Sequence, residues 1–134
     1  MAGFSTHLAN AIINYTLRGQ TMPTISGTYF ALFTADPTDA FTAGTEVSAA
    51  WYARVATGAW AAPANGVTYN AARAEFAPVT GASATITHVG IVDAASGGNL
   101  LYSEALTTPK TLNINDVFVI DSATLSGDFT LSLL

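Results

Sequence analysis

Cysteine is missing from the chain, which excludes disulfides and thiolate metal sites and leaves the redox compartment unreadable. Charge is almost as scarce. Only 10% of the 134 residues are charged, where an ordinary globular protein has about a quarter, and the four basic ones, Arg18, Arg54, Arg73 and Lys110, stand singly. With no basic patch and a net charge of −5, nucleic-acid binding is not expected. Long apolar runs are lacking as well. The opening "MAGFSTHLANAIINYTLRG" has neither a basic leader nor an unbroken apolar stretch, so no signal peptide or membrane span is expected. A Gly-rich phosphate loop, a Walker pattern, a nucleophile elbow and zinc spacing are all absent, and neither an enzyme nor a cofactor is expected.

What is present is apolar. Half the residues are hydrophobic, the opposite of a disordered composition, and the length suits one domain over residues 1–134. The surface must then be mostly Thr, Ser, Ala and Asn, and so weakly charged a surface predicts a homo-oligomer, with dimers and trimers equally compatible.

Ser5 or Thr6 can cap a helix whose apolar residues Phe4, Leu8, Ile12 and Tyr15 recur at helical spacing before Gly19, which predicts a helix over 6–18. Beyond Pro23 the composition turns to Thr, Val, Tyr, Phe and Ile, punctuated by Gly, Pro, Asn and Asp. A mainly β, single-domain antiparallel sandwich or small barrel is therefore expected over 24–134. Its predicted strands are 28–34, buried on both faces with the helix a candidate cover for one of them, then 51–57, 67–76, 85–92 and 100–106, one through Leu112–Ile120 with a turn or bulge at Asp116, and a last one alternating from Leu125 to Leu133. Asn65-Gly66 predicts a tight turn, and Gly97-Gly98 the turn of a β-hairpin.

Few residues could carry chemistry. Asp36 and Asp39 could offer carboxylates to calcium, but Asp-Pro-Thr-Asp is also turn composition, and the turn is the favoured reading. His7 falls in the first turn of the helix and His88 in mid-strand, without the partners of a catalytic triad. Glu46 and Arg54 could pair across the loop and pin it to the sandwich, and Glu75 and Arg73, two apart on one strand face, could pair with each other or equally with neighbours; surface pairs contribute about 0–1 kcal/mol, so both are read as register or oligomer contacts. Trp51, Tyr52, Trp60 and Tyr69 could line a glycan platform, although packing in the core or against a subunit is favoured. The loop over 35–50, with Phe41 expected to be exposed, is read as an arm reaching a neighbour. Candidate assembly contacts are Asp36, Asp39, Phe41, Glu46, Trp51 and Arg54.

The order of several short stretches resembles a family of small tailed-bacteriophage virion structural proteins, labelled tail-fibre or capsid-decoration-like. These stretches are Leu17-Arg18-Gly19 at the helix end, "YFALFTADPTDA", Gly44-Thr45-Glu46-Val47-Ser48 followed by Tyr52-Ala53-Arg54, "THVGIVDAASGGNLL" and "ALTTPKTLNINDVF". Two places depart from the pattern: Ala49-Ala50-Trp51 stands where the family tends to have glycines, and residues 58–64 are rich in Ala. The resemblance implies a non-enzymatic virion protein made in the host bacterial cytoplasm, with the major capsid protein or other virion proteins as partners. A capsid decoration or cement protein is the first expectation, because multivalency lets weak contacts suffice. A tail fibre or tail adaptor component in host attachment is the alternative, and a glycan-binding module comes third.

Overall fold

The computed structural model describes residues 3–122 and 129–133. The predicted helix is there as α1, Thr6–Arg18. Ser5 caps it: its hydroxyl accepts from the Leu8 amide at 3.1 Å, satisfying one of the donors that a helix start leaves free. Gly19, at φ 66°, turns the chain into the left-handed conformation that ends the helix, while Arg18 sits at the negative end of the helix dipole. Leu8 and Ala11 are buried, and Phe4 and Ile12 pack against the core from its edge. Tyr15, which the spacing assigns to the same face, points outward and is 58% exposed.

The rest of the chain is antiparallel β structure. Strands β1 (Gly3–Phe4), β2 (Tyr29–Phe33), β3 (Val55–Ala56), β6 (Ala84–Val92) and β7 (Leu100–Leu112) form a five-stranded sheet in the order β1-β7-β6-β2-β3. Two ribbons, β4 (Val67–Tyr69) with β9 (Thr130–Ser132) and β5 (Ala74–Glu75) with β8 (Val119–Ile120), complete the fold. Their Ala74, Ile120 and Leu131 share one core with Phe30, Leu32, Ile86, Val89, Ile91 and Leu101 of the sheet. This is the two-layer solution by which sheets that are apolar on one face bury it.

Strand β2 is apolar throughout because both its faces are covered. Phe30 and Leu32 look into the main core; Ala31 and Phe33 form a second cluster with Val92 and Leu100, against which Tyr29 and Phe41 pack. The cover on that second face is thus Phe41 of the following loop rather than the helix. Both predicted turns are found: Ala64 and Val67 exchange backbone hydrogen bonds around Asn65-Gly66, and the Gly97-Gly98 region joins β6 to β7.

Several strands are shorter, longer or more broken than their composition suggests. Only Val55–Ala56 of 51–57 pairs as a strand, and 67–76 divides at Asn70 into β4 and β5. Strand β7 runs past residue 106 because the stretch Leu106–Pro109 bulges opposite the single residue Thr87, where the imino nitrogen of Pro109 is not asked for a ladder bond. The strand expected through Leu112–Ile120 is two pieces: Asp116 closes a turn by accepting from the Asn113 amide at 2.8 Å, and Ile114 is left 57% exposed. Of the final alternating stretch, Phe129 and Leu131 are buried as expected, Leu133 beyond the end of β9 is 45% exposed, and Leu125, Ser126 and Asp128 lie outside the described residues.

Gly90 sits where the sheet leaves no room for a side chain. A Cβ there would come within 2.8 Å of the Phe33 ring and 2.9 Å of Leu100. Gly90→Ala should therefore lower stability by about 1–3 kcal/mol, as overpacking does. A urea midpoint equal to that of the parent would show that the second cluster, around Phe33 and Leu100, is not closed on this residue.

Candidate functional site

The loop after β2 folds back on the body. Asp36 accepts from the Thr38 amide at 2.8 Å, an Asx turn that starts the reversal, and the buried Pro37 carbonyl receives the Thr42 amide at 2.6 Å. Thr38 and Phe41 take positive φ angles of 54° and 58°. The loop then returns beside its own origin: Thr34 N–H donates to the Thr45 carbonyl and Val47 N–H to the Leu32 carbonyl, each at 2.9 Å. Its tip is tied to the helix, since the Asp39 carbonyl receives the Thr6 amide at 2.8 Å. The opening Asp-Pro-Thr-Asp stretch is thus a turn, and among the described residues no group of three or more His, Asp or Glu comes together to hold a metal ion.

The return of the loop brings Glu46 against Arg54. The guanidinium grips the carboxylate with two parallel bonds, Nε to Oε1 at 2.7 Å and Nη2 to Oε2 at 2.8 Å, and spends Nη1 on the carbonyls of Ala94 and Gly97 at 2.8 and 2.7 Å. Tyr52 donates its hydroxyl to Glu46 at 2.6 Å and accepts from the Leu32 amide at 3.2 Å. Phe41 lies under the guanidinium, 5.9 Å from its ring centre, and meets Phe33 edge-on. The expected surface pair is therefore a nearly buried clasp, with the Arg54 side chain only 7% exposed, that fastens the loop, β2 and the β6–β7 turn together.

Burial works to raise the Glu46 carboxyl, but the hydrogen bonds from Arg54 and Tyr52 and the nearby positive charge outweigh it and hold the group below its ordinary value. Burial, reinforced by the Glu46 carboxylate, pushes the Tyr52 phenol upward, so it stays a donor. Because the folded Glu46 titrates below the unfolded one, near about 4.3, its contribution to stability is complete above that value and disappears as pH falls through the folded pKa. Unfolding free energy should accordingly fall as pH drops below about 4.3, and Glu46→Gln should remove part of that fall. An unchanged pH profile in the variant would remove Glu46 from the explanation.

The six candidate contacts do not form one surface. Glu46, Arg54 and Phe41 converge in the clasp. Phe41 is half-buried, so the exposure expected of it is not found, and the loop it belongs to is a cover rather than a reaching arm. Asp36 and Asp39 are exposed on that cover, with Asp36 Oδ1 3.9 Å from His88 Nε2. Trp51 is 7% exposed, packed edge-on against Tyr52 within the core, and its indole N–H has no partner among the described residues. It offers a partner little to touch. The four aromatics considered for a glycan platform are dispersed: Tyr52 stacks on Phe76, Trp60 packs on Phe30 and Phe129, and Tyr69 alone of them reaches 38% exposure.

One cleft of about 320 Å³ places Ser5, His7 and Asp39 on its walls. Ser5 is engaged as the helix cap, and no hydrogen bond links His7 to Ser5 or Asp39 among the described residues, so the trio lacks the relay that activates a nucleophile. A second opening, about 210 Å³ between the sheet and the β4–β9 ribbon, is walled by Trp60, Ile91, Leu101, Tyr102 and Leu131 with Thr28 and Thr68. Both threonine hydroxyls are already used, on Thr57 and on the Ala61 carbonyl.

Sequence reasoning missed Asn70. Fully buried at the break between β4 and β5, its side chain donates to the carbonyls of Ala72 and Asp121 and accepts from the Phe129 amide. The only signal was an asparagine inside a strand-like run, which reads as a turn former.

What the described residues assemble here is packing and a buried clasp. Against known families, the model of Podophage GP4 fiber I protein gp80 matches residues 3–128. The chain belongs to this family. It is thus a structural protein of a tailed-phage virion, as the order of short stretches implies, and the match spans the helix, the clasp and the hairpin alike. No curated protein matches the chain.

Proposed function

We propose that this fibre-family chain is a non-enzymatic component of the phage tail-fibre apparatus, held in place by other virion proteins. The observation that carries the reading is the family match to a fibre protein over nearly the whole chain. The expectation that ranked capsid decoration first rested on compactness and multivalency, which suit a small fibre module equally well. No shaft is needed of it. The chain has neither heptads nor an internal repeat, so its role is that of a tip, collar or joint attached to longer parts.

The clasp suits such a role, because a domain that bears load between other proteins gains from loops that cannot open. Particles lacking this chain should keep full, normally sized capsids and lose fibre density or host adsorption, as seen by electron microscopy and adsorption assays. Fragile or unexpanded capsids with intact fibres would favour the decoration reading instead.

A further inference from the structure

We infer that the Asn65-Gly66 turn is a site of spontaneous covalent modification, at which the Asn65 side-chain amide is lost as ammonia and an aspartate or isoaspartate is left in its place. The inference goes beyond the fibre reading and does not depend on where the protein sits in the virion. Asn65 is the only asparagine of the chain followed by glycine. The step needs the Gly66 amide nitrogen to reach Cγ of Asn65, and a glycine puts no Cβ beside that nitrogen. Proximity favours the attack, because the two atoms belong to adjacent residues and close a five-membered ring. The new bond from nitrogen to Cγ forms as the Cγ–Nδ2 bond breaks, and the amide proton leaves with Nδ2 as ammonia. Water then opens the ring, at Cγ to give aspartate or at the main-chain carbonyl to give isoaspartate. Across both steps one water is consumed and one ammonia released.

The fold leaves this asparagine open and restrains the others. Asn65 and Gly66 are both exposed, at φ angles of 52° and 75°, and among the described residues neither the Asn65 side chain nor the Gly66 N–H has a hydrogen-bond partner. The turn is held by the paired backbone bonds of Ala64 and Val67 and by the Leu133 amide on the Gly66 carbonyl at 2.9 Å, at the end of a ribbon only three residue pairs long. The tip of so short a two-stranded ribbon opens locally at low cost, which gives the nitrogen its approach. Asn10 and Asn14 lie in α1, where the following amide is fixed in the helical ladder. Asn70 is fully buried and hydrogen-bonded, and Asn99 gives its side-chain amide to Asp93 at 3.0 Å. Asn113 is followed by the branched Ile114, and Asn115 by Asp116, whose N–H is already donated to the Asn113 carbonyl at 2.9 Å. The products differ in consequence. Aspartate adds one negative charge to the −5 of the chain, whereas isoaspartate lengthens the main chain by one atom just before the Val67–Ser132 pair and should lower the melting temperature.

Peptide mapping by mass spectrometry of the native full chain, held warm at mildly alkaline pH, tests this directly. Asn65 should gain the mass of an NH-to-O exchange, as aspartate and isoaspartate together, at least ~10-fold faster than any other asparagine, a barrier lower by ~1.4 kcal/mol. Its rate should lie within ~10-fold of that in the same chain unfolded in urea, since the tip opens at low cost. Asn65→Gly, which suits the same left-handed turn, should give no acidic species on isoelectric focusing over the same period. A native rate more than ~10-fold below the unfolded one overturns the inference, because the turn then shields the residue. So does modification first at another asparagine, or an acidic species that persists in Asn65→Gly.

Discussion

Arg54→Ala is expected to lower the unfolding free energy by about 2–3 kcal/mol, below the roughly 3–5 kcal/mol of a fully buried ion pair because the Glu46 side chain left behind is 21% exposed and can regain water. Four hydrogen bonds go with the guanidinium, two to Glu46 and one each to the carbonyls of Ala94 and Gly97, and the Phe41 ring loses its cover. Arg54→Lys should recover only part of this, because an ammonium cannot reproduce the two-pronged grip. The Arg73–Glu75 pair provides the internal comparison: at 3.2 Å but with both side chains 56% exposed, it should contribute about 0–1 kcal/mol, and Arg73→Ala should be nearly silent. Denaturant titration of the three variants reads all of these effects. Equal, small losses at Arg54 and Arg73 would mean that the clasp is an ordinary surface pair.

Asn70→Leu is expected to lose about 2–5 kcal/mol even though leucine is more apolar and of similar size. The substitution strands the buried Phe129 amide and takes a donor from the Ala72 and Asp121 carbonyls, and each buried polar group left unpaired costs about 1–3 kcal/mol. Its effect should also be local. Hydrogen exchange ought to speed first at Phe129, where the chain joins the β4–β9 ribbon, before the central β6–β7 hairpin is affected. A neutral Asn70→Leu would show that packing alone holds the two layers in register at this corner.

The difference between what the sequence revealed and what it concealed follows from the range of each interaction. The helix was legible because its signals are local: Ser5 at its start, Gly19 at its end and apolar residues at helical spacing between them. The turns at Asn65-Gly66 and Gly97-Gly98 were legible for the same reason, as positive φ angles there require residues that tolerate them. The Glu46–Arg54 pairing was foreseen from spacing, but not its burial, which depends on carbonyls some forty residues further along the chain. Nor does local pattern tell that Phe41 turns inward, since its cover comes from Arg54 and its floor from Phe33. Asn70 was invisible because its partner Phe129 is fifty-nine residues away. Strand boundaries failed where a bulge absorbed a proline and where Asp116 made a turn of what alternation presented as one strand.

The most direct test of the fibre reading is the number of copies of this chain in a purified particle, measured by quantitative mass spectrometry against the major capsid protein. A fibre component predicts a small stoichiometric number, far below the capsid protein and tracking the other tail proteins. A ratio near one to one with the capsid protein would contradict the account and make the chain a covering of the shell.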